Sequence, residues 1–280
     1  MRKIAMIAAA AALASAPQLA SAADLGGMGG GMKDVPPPVL ITNWTGFYGS
    51  IGVGFGAVVN NYEIRDETWV TGLGVPVWWV HDYHTFGAEG VLGTVQLGYD
   101  YQFPASRWLI GAFVDYDWEH FSGSKDYYDG APNLIQLRNY HAGVTLENQW
   151  NVGGRLGVLT SPETMFYVLL AYTQAQEKAW LDNYRDFAWN VLPRCGGTGT
   201  LDGVTVGAGL ETHLKDNWFL KVEYRFSQLS NDNAWQRTFT PWPIFQLTED
   251  VRGDVDADIH TARIALTYKF SRQGIVEPLK

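Results

Sequence analysis

The side chains that could do chemistry are few. Glu119, His120 and Ser122 fall within four residues, and His141 and His213 follow later. A hydrolase needs a serine, a histidine and an acidic orienter converging on one point. Residues two apart in a strand share a face and nothing more. His81-Asp82-Tyr83-His84 offers imidazoles and a carboxylate to a metal or a haem edge, yet alternation within four residues is equally the pattern of a polar loop. Asp254-Val255-Asp256-Ala257-Asp258 lacks the glycine and distal glutamate of an EF-hand, so bulk cations relieving repulsion account for it. The GxGxG run at Gly52–Gly56 has no helix pattern after it and simply continues a period of two. Cys195, the sole cysteine, sits in a Pro-Arg-Cys-Gly-Gly loop without an internal partner. The expectation is therefore no catalytic, cofactor-binding or metal-binding residue, no cofactor and no enzymatic activity.

What must position these residues is a set of strands. From Ala262 to Phe270 the even positions Ala262, Ile264, Leu266, Tyr268 and Phe270 are apolar, while Arg263, Thr267 and Lys269 alternate with them. That is a strand with one greasy and one wet face. Seven earlier stretches repeat the pattern. They begin at Trp44, about Phe86, Trp108, within Gln136–Leu159, Met165, Gly203 and Trp218. In the first, Phe47, Ile51, Val53, Phe55, Ala57 and Val59 share a face opposite the glycines. In the second, Val91, Val95, Leu97, Tyr99 and Tyr101 stand against Glu89, Thr94, Gln96, Asp100 and Gln102.

The connections alternate in length. Tight turns at Pro104-Ala105-Ser106, Ser161-Pro162-Glu163 and Lys215-Asp216-Asn217 follow strands two, four and six. Long segments, Asn61–Thr85, a connection marked by Tyr128–Pro132, Asp182–Asp202 and Ser230–Ala257, follow the odd strands. This rhythm predicts an all-β fold, an eight-stranded antiparallel transmembrane β-barrel with short periplasmic turns and four long extracellular loops. The plentiful aromatics (12 Trp, 14 Tyr, 13 Phe) suit rings at the two lipid interfaces.

The ends support export. Arg2 and Lys3, an apolar run Ile4–Leu13 and Ala20-Ser21-Ala22 read as a signal peptide over 1–22. Residues 23–43 are a Pro/Gly-rich periplasmic lead-in, 44–270 the barrel and 271–280 a tail. No later segment reaches about 18 apolar residues without charge, so a spanning helix is excluded. Net charge is -9, and removing the two leader cations makes it more negative, which argues against nucleic acid as a partner.

With these residues in view, the sequence resembles the outer-membrane immunogenic protein family of alphaproteobacteria. These are small "porin family" eight-stranded barrels similar to the transmembrane domain of outer-membrane protein A. The resemblance rests on Ser21–Asp24, the WTGFY opening at Trp44–Tyr48, Gly153–Gly157 (GGRLG) and the Ala262–Phe270 ending, whose aromatic stands ten residues before the C-terminus. It implies the outer membrane of a Gram-negative bacterium, surface antigenicity, and outer-membrane lipid and lipopolysaccharide as surroundings.

An eight-stranded tube is just wide enough to be filled by side chains. The inward row holds Asp100, Asp115, Asp117, Glu119, Arg155, Glu211, Lys221, Glu223, Arg225, Arg263 and Lys269. In a tube closed to water these charges must pair. The expected role is a structural barrel supporting envelope integrity and presenting surface loops, not a general diffusion pore. The alternative is a narrow ion channel, or a receptor binding ligands or neighbouring membrane proteins through its aromatic loops. Trp69, Val77, Trp78, Trp79, Trp180, Trp189, Trp235 and Trp242 would either cap the barrel or form that contact.

Overall fold

The computed structural model describes residues 43–70, 76–130, 137–183, 194–242 and 247–270. The leader, most of the lead-in and the tail lie outside them. Eight strands follow in order: β1 Gly46–Val70, β2 Pro76–Gln102, β3 Trp108–Gly130, β4 Leu137–Ser161, β5 Thr164–Asp182, β6 Cys195–Lys215, β7 Trp218–Trp242 and β8 Leu247–Lys269. Each pairs antiparallel with its sequence neighbours, and β1 closes on β8 from Tyr48↔Lys269 to Val70↔Leu247. In the lower stretch closure leaves no open sheet edge, which backbone in lipid requires, whereas higher up the ladder of β2 with β3 ends at Leu92↔Glu119 and that of β6 with β7 at Asp202↔Ser230. Among the described residues no helix is long and apolar enough to cross a membrane.

The three short turns stand where the sequence puts them. Ala105 (φ 52°) and Asp216 (φ 53°) take left-handed conformations there, Asp being a residue that tolerates them. At the other end the picture differs from expectation. Most of the segments read as long connections are strand. β1 runs on to Val70, β7 to Trp242, and Cys195 opens β6 instead of lying in a loop.

The reason is a reversal of the pattern. On β3, Trp108, Ile110, Val114, Tyr116 and Trp118 are exposed, while Asp115, Asp117 and Glu119 are buried. Beyond Trp118 the polar His120, Ser122 and Ser124 face out and Phe121 faces in. β8 does the same: Ile264 and Leu266 are outside Arg263, whereas Asp256 and His260 are outside Ala257 and Ile259. The lower half meets hydrocarbon and the upper half meets water. About ten residue steps from Trp108 to Trp118, at about 3.3 Å each and tilted about 40°, rise about 25 Å, the height of an outer-membrane apolar band. About twelve further residues of β3 continue above it.

Two irregularities matter. Pairing of β3 with β4 jumps between Asp117 and His120, and Asn148 opposite is left-handed (φ 46°). This bulge flips the parity of β4, so Leu146 and Asn151 both face inward. Glu89, expected inside, is exposed on the outer wall. It shares parity with the lipid-facing Val91, which places it there.

Candidate functional site: the lumen and the outward wall

All eleven charges expected inside are buried there. They form a polar tier whose lower part, Asp100, Arg155, Glu211 and Lys269, is interleaved with Trp44, Tyr48, Leu109, Phe113, Met165, Tyr167 and Phe219. Above it stands an apolar tier that includes Val58, Tyr62, Ile64, Phe121, Val144, Leu146 and Ile259. Glycines make the tube fillable. A Cβ at Gly56 would stand 2.6 Å from the Phe121 ring, and one at Gly98 2.5 Å from that of Tyr48. Only a missing side chain lets those rings cross the lumen.

The ion pairs fall into connected groups. Arg155 donates from Nε and Nη2 to both Asp100 oxygens at 2.8 and 2.6 Å, and from Nη1 to Glu211 Oε2 at 2.9 Å. Lys269 Nζ joins the same two acids at 2.9 and 3.5 Å. The Arg155 guanidinium lies 4.3 Å from the Tyr48 ring centroid and 5.1 Å from that of Tyr167. Further up, Arg225 bridges Asp115 (2.8 Å) and Glu223 (2.5 Å), and the Tyr167 hydroxyl donates to Glu223 Oε2 at 2.6 Å. Asn151 and Gln96 also donate to Asp115, while Lys221 donates to Gln96 Oε1. Arg263 Nη1 meets Asp117 Oδ1 at 2.8 Å. Glu119 alone among the tier's acids has both oxygens buried without a hydrogen-bond partner. Between Thr94, Lys221, Glu223, Arg225, Arg263 and Ala265 a cavity of about 10 Å³ remains, the threshold for one water.

Among the described residues the histidines do not converge. His120 is exposed on the outer wall, with Nδ1 3.7 Å from Glu147. The Ser122 hydroxyl on that wall is engaged with Thr145 at 3.1 Å, not with His120. His141 bonds Asp126 at 2.7 Å, and its ring lies 4.9 Å from that of Trp180. His213 is at the opposite end, against the Asp216 carbonyl. His84 lies on β2, not in a loop, and its ring bonds the Tyr140 hydroxyl. The side chains of His81 and Asp82 lie outside the described residues. Among those described, no group of three His, Cys, Asp or Glu side chains could hold a metal.

The acidic run is a ladder on the outer wall of β8. Asp254 pairs with Arg65 at 3.0 Å, Asp250 with Arg252 at 3.6 Å, and Asp258 accepts from Gln228. Of the aromatic set, Trp180 is half-buried under the Arg194 guanidinium, 4.4 Å from its ring. Trp69 is also half-buried. Trp189 and the side chains of Val77, Trp78, Trp79, Trp235 and Trp242 lie outside the described residues.

Sequence reasoning missed Glu177. It faces into the upper apolar tier, accepts from Asn231 Nδ2 at 2.6 Å and leaves Oε2 without a partner. Burial pushes its carboxyl up to about 7. The inward parity of Ala175 and Ala179 was the signal available for it.

The chain matches the family described as outer membrane protein beta-barrel domain over residues 6–270. The 31 kDa outer-membrane immunogenic protein of Brucella melitensis biotype 1 is 26% identical over 243 residues, covering 83% of this chain and 86% of that protein. Among solved structures, the outer membrane protease OmpT of Escherichia coli aligns with a TM-score of 0.48 at 7% identity, over 80% of this chain and 97% of that one. Ail, the attachment invasion locus protein of Yersinia pestis, aligns with a TM-score of 0.28 at 12% identity, over 74% and 98%.

Proposed function

This chain belongs to the outer membrane protein beta-barrel domain family, and from that premise we propose that it is a sealed barrel whose work is done at the cell surface. It raises a strand-built wall above the outer leaflet and binds surface ligands or partner proteins there, without passing solutes and without catalysing a reaction. One observation carries the reading: paired charges, the rings interleaved with them and an apolar tier above fill the described lumen, and the cavity beside Lys221 and Arg263 has room for about one water.

The upper wall supports it as well. Hydrogen bonding continues well past the apolar band within β7-β8-β1-β2 and within β3-β4-β5-β6, where a barrel serving only as an anchor needs no further height. Its outer face carries His120, Ser124, Gln176, Lys178, Gln228 and Ser230, a wet surface with cations and carboxylates interspersed. The Brucella relatives are named as immunogenic, which suits a part that stands clear of the membrane. Lipid and lipopolysaccharide surround the lower wall in this reading.

Two measurements test it. In planar bilayers the purified protein is expected to stay silent, and a stable open state would instead support a narrow channel. A photo-reactive residue placed at Gln176 or Ser230 on intact cells is expected to capture a surface partner that the same residue at Val114 does not. Identical yields from the upper wall and the lipid face would reject the binding role.

A further inference from the structure

We propose that the lumen carries a buried cation site at Glu119, holding one positive charge, a proton or a monovalent metal ion, beside Asp117 and Arg263. The inference does not depend on the surface role.

It begins with charge. Among the described residues the polar tier holds six carboxylates against five cationic side chains, counting Lys221 in full. One acid is in surplus. Each of the other five carboxylates is ion-paired with an arginine of the tier, Asp100 and Glu211 with Lys269 as well. Glu119 is only 6% exposed and has no donor on either oxygen. A bare carboxylate in that position is among the costliest things a protein can bury.

Other groups around it are incomplete in a matching way. Arg263 uses Nη1 on Asp117 and leaves Nη2 buried without an acceptor. Gln149, which stands opposite Asp117 across β3 and β4, leaves its carbonyl oxygen Oε1 buried without a donor. Glu119 is the next inward residue after Asp117, inside the stretch where the ladder skips. Along the register row Arg263, Gly54, Leu92 and Glu119, the glycine contributes no side chain, so Leu92 alone stands between the two charged groups.

Carboxylate and amide oxygens are the ligands of a proton or a hard cation. A surplus of a single charge selects a monovalent one, since a divalent ion would replace one imbalance with its opposite. The charged groups acting on Glu119 are Asp117 on its own strand and Arg263 on β8. Gln149 of β4 and Leu92 of β2 are neutral, and Gly54 of β1 contributes no side chain.

The test uses the full chain refolded into phosphatidylcholine vesicles. Glu177→Gln is present throughout, so that the upper-tier carboxyl does not titrate. Melting temperature is read from about pH 5 to about pH 9 in sodium, potassium or choline chloride, with and without Glu119→Gln. If the charge is a proton, the protein retaining Glu119 loses several degrees as pH rises in every salt, and E119Q stays level. If it is a metal ion, the loss at high pH is reversed by sodium or potassium but not by choline, again only with Glu119. Coincident curves for the two proteins in all salts overturn the site. Should E119Q not fold, infrared difference spectra of the protein retaining Glu119 serve instead. A protonated-carboxyl stretch persisting near neutral pH, or a carboxylate stretch that moves between choline and sodium, supports the site. The absence of both overturns it.

Discussion

Arg155→Met puts the paired charges of the lumen to a quantitative test. Methionine keeps an apolar stem between Tyr48 and Tyr167 but removes three hydrogen bonds, two to Asp100 and one to Glu211. Breaking a buried ion pair from one side costs about 3–5 kcal/mol, because the other charge stays behind. Lys269 remains 2.9 Å from Asp100 and 3.5 Å from Glu211, so the low end applies, about 3 kcal/mol, corresponding to about 6–12 °C in melting temperature. The local balance then shows a partial rescue. R155M leaves two acids facing Lys269, whereas Asp100→Asn combined with Arg155→Met leaves the single pair Glu211–Lys269. The double variant is expected to recover at least half of the loss, a coupling of about 1.5 kcal/mol or more. Urea unfolding in lipid vesicles, followed by tryptophan emission and by the mobility of unboiled samples in gels, reads both. A cost below about 1 kcal/mol for R155M, or a double variant no better than the single, would refute the account of the tier as obligately paired charges. Bilayer recordings of R155M are expected to stay silent, because the rings around position 155 and the apolar tier above remain in place.

Glu177→Gln isolates the carboxyl of the upper tier. Its folded value of about 7 lies above the unfolded 4.5, so the folded chain holds the extra proton between them. The stability tied to that proton is complete below about pH 4.5 and lost as pH rises through about 7, in total about 3 kcal/mol. Above neutrality E177Q should therefore be more stable than the parent, and below about pH 4.5 equal to it, by melting temperature against pH. A second prediction locates the membrane. Val114→Lys, at mid-height on the lipid face of β3, should cost about 2–4 kcal/mol in refolding into vesicles, and Ser124→Lys, above the reversal on the same strand, about 0–1 kcal/mol. Equal costs would mean that the pattern reversal is not the lipid boundary.

The part of the fold that meets lipid was legible because its alternation is strict and long. Asp115, Asp117, Arg155, Glu223, Arg225 and their partners could be put inside from parity alone, and the three turns announced themselves through Pro, Ser, Asp and Asn. The upper halves were not legible, though they alternate just as well. Phe121, Ala179, Val255 and Ile259 form an inward apolar row with polar residues outside, the reverse of the rows below them. An apolar-outside pattern therefore ends at that point although the strand does not. β4 was worse, because Asn148 inserts one residue and shifts parity at the same level. The pairing of Arg155 with Asp100, Glu211 and Lys269 draws on four strands, and no spacing within one strand discloses it. Glu177 was hidden by its neighbours, a lone acid among alanines in a strand that otherwise reads as filler.

That reversal also decides how the tube can be closed. Where the wall faces hydrocarbon its apolar side chains must point out, so the lumen receives the polar ones and has to satisfy them in pairs. Where the wall faces water the same alternation sends the apolar side chains inward, and they pack as an ordinary core. In the sealed barrel proposed above, a solute would have to part ion pairs in one stretch and a hydrophobic core in the next, two barriers of different chemistry in series. No single substitution removes both: neutralising a charge leaves the core intact, and truncating Phe121 or Leu146 leaves the arginines bound. The wall above the lipid packs on that core, in which Phe121, Leu146 and Ile259 meet.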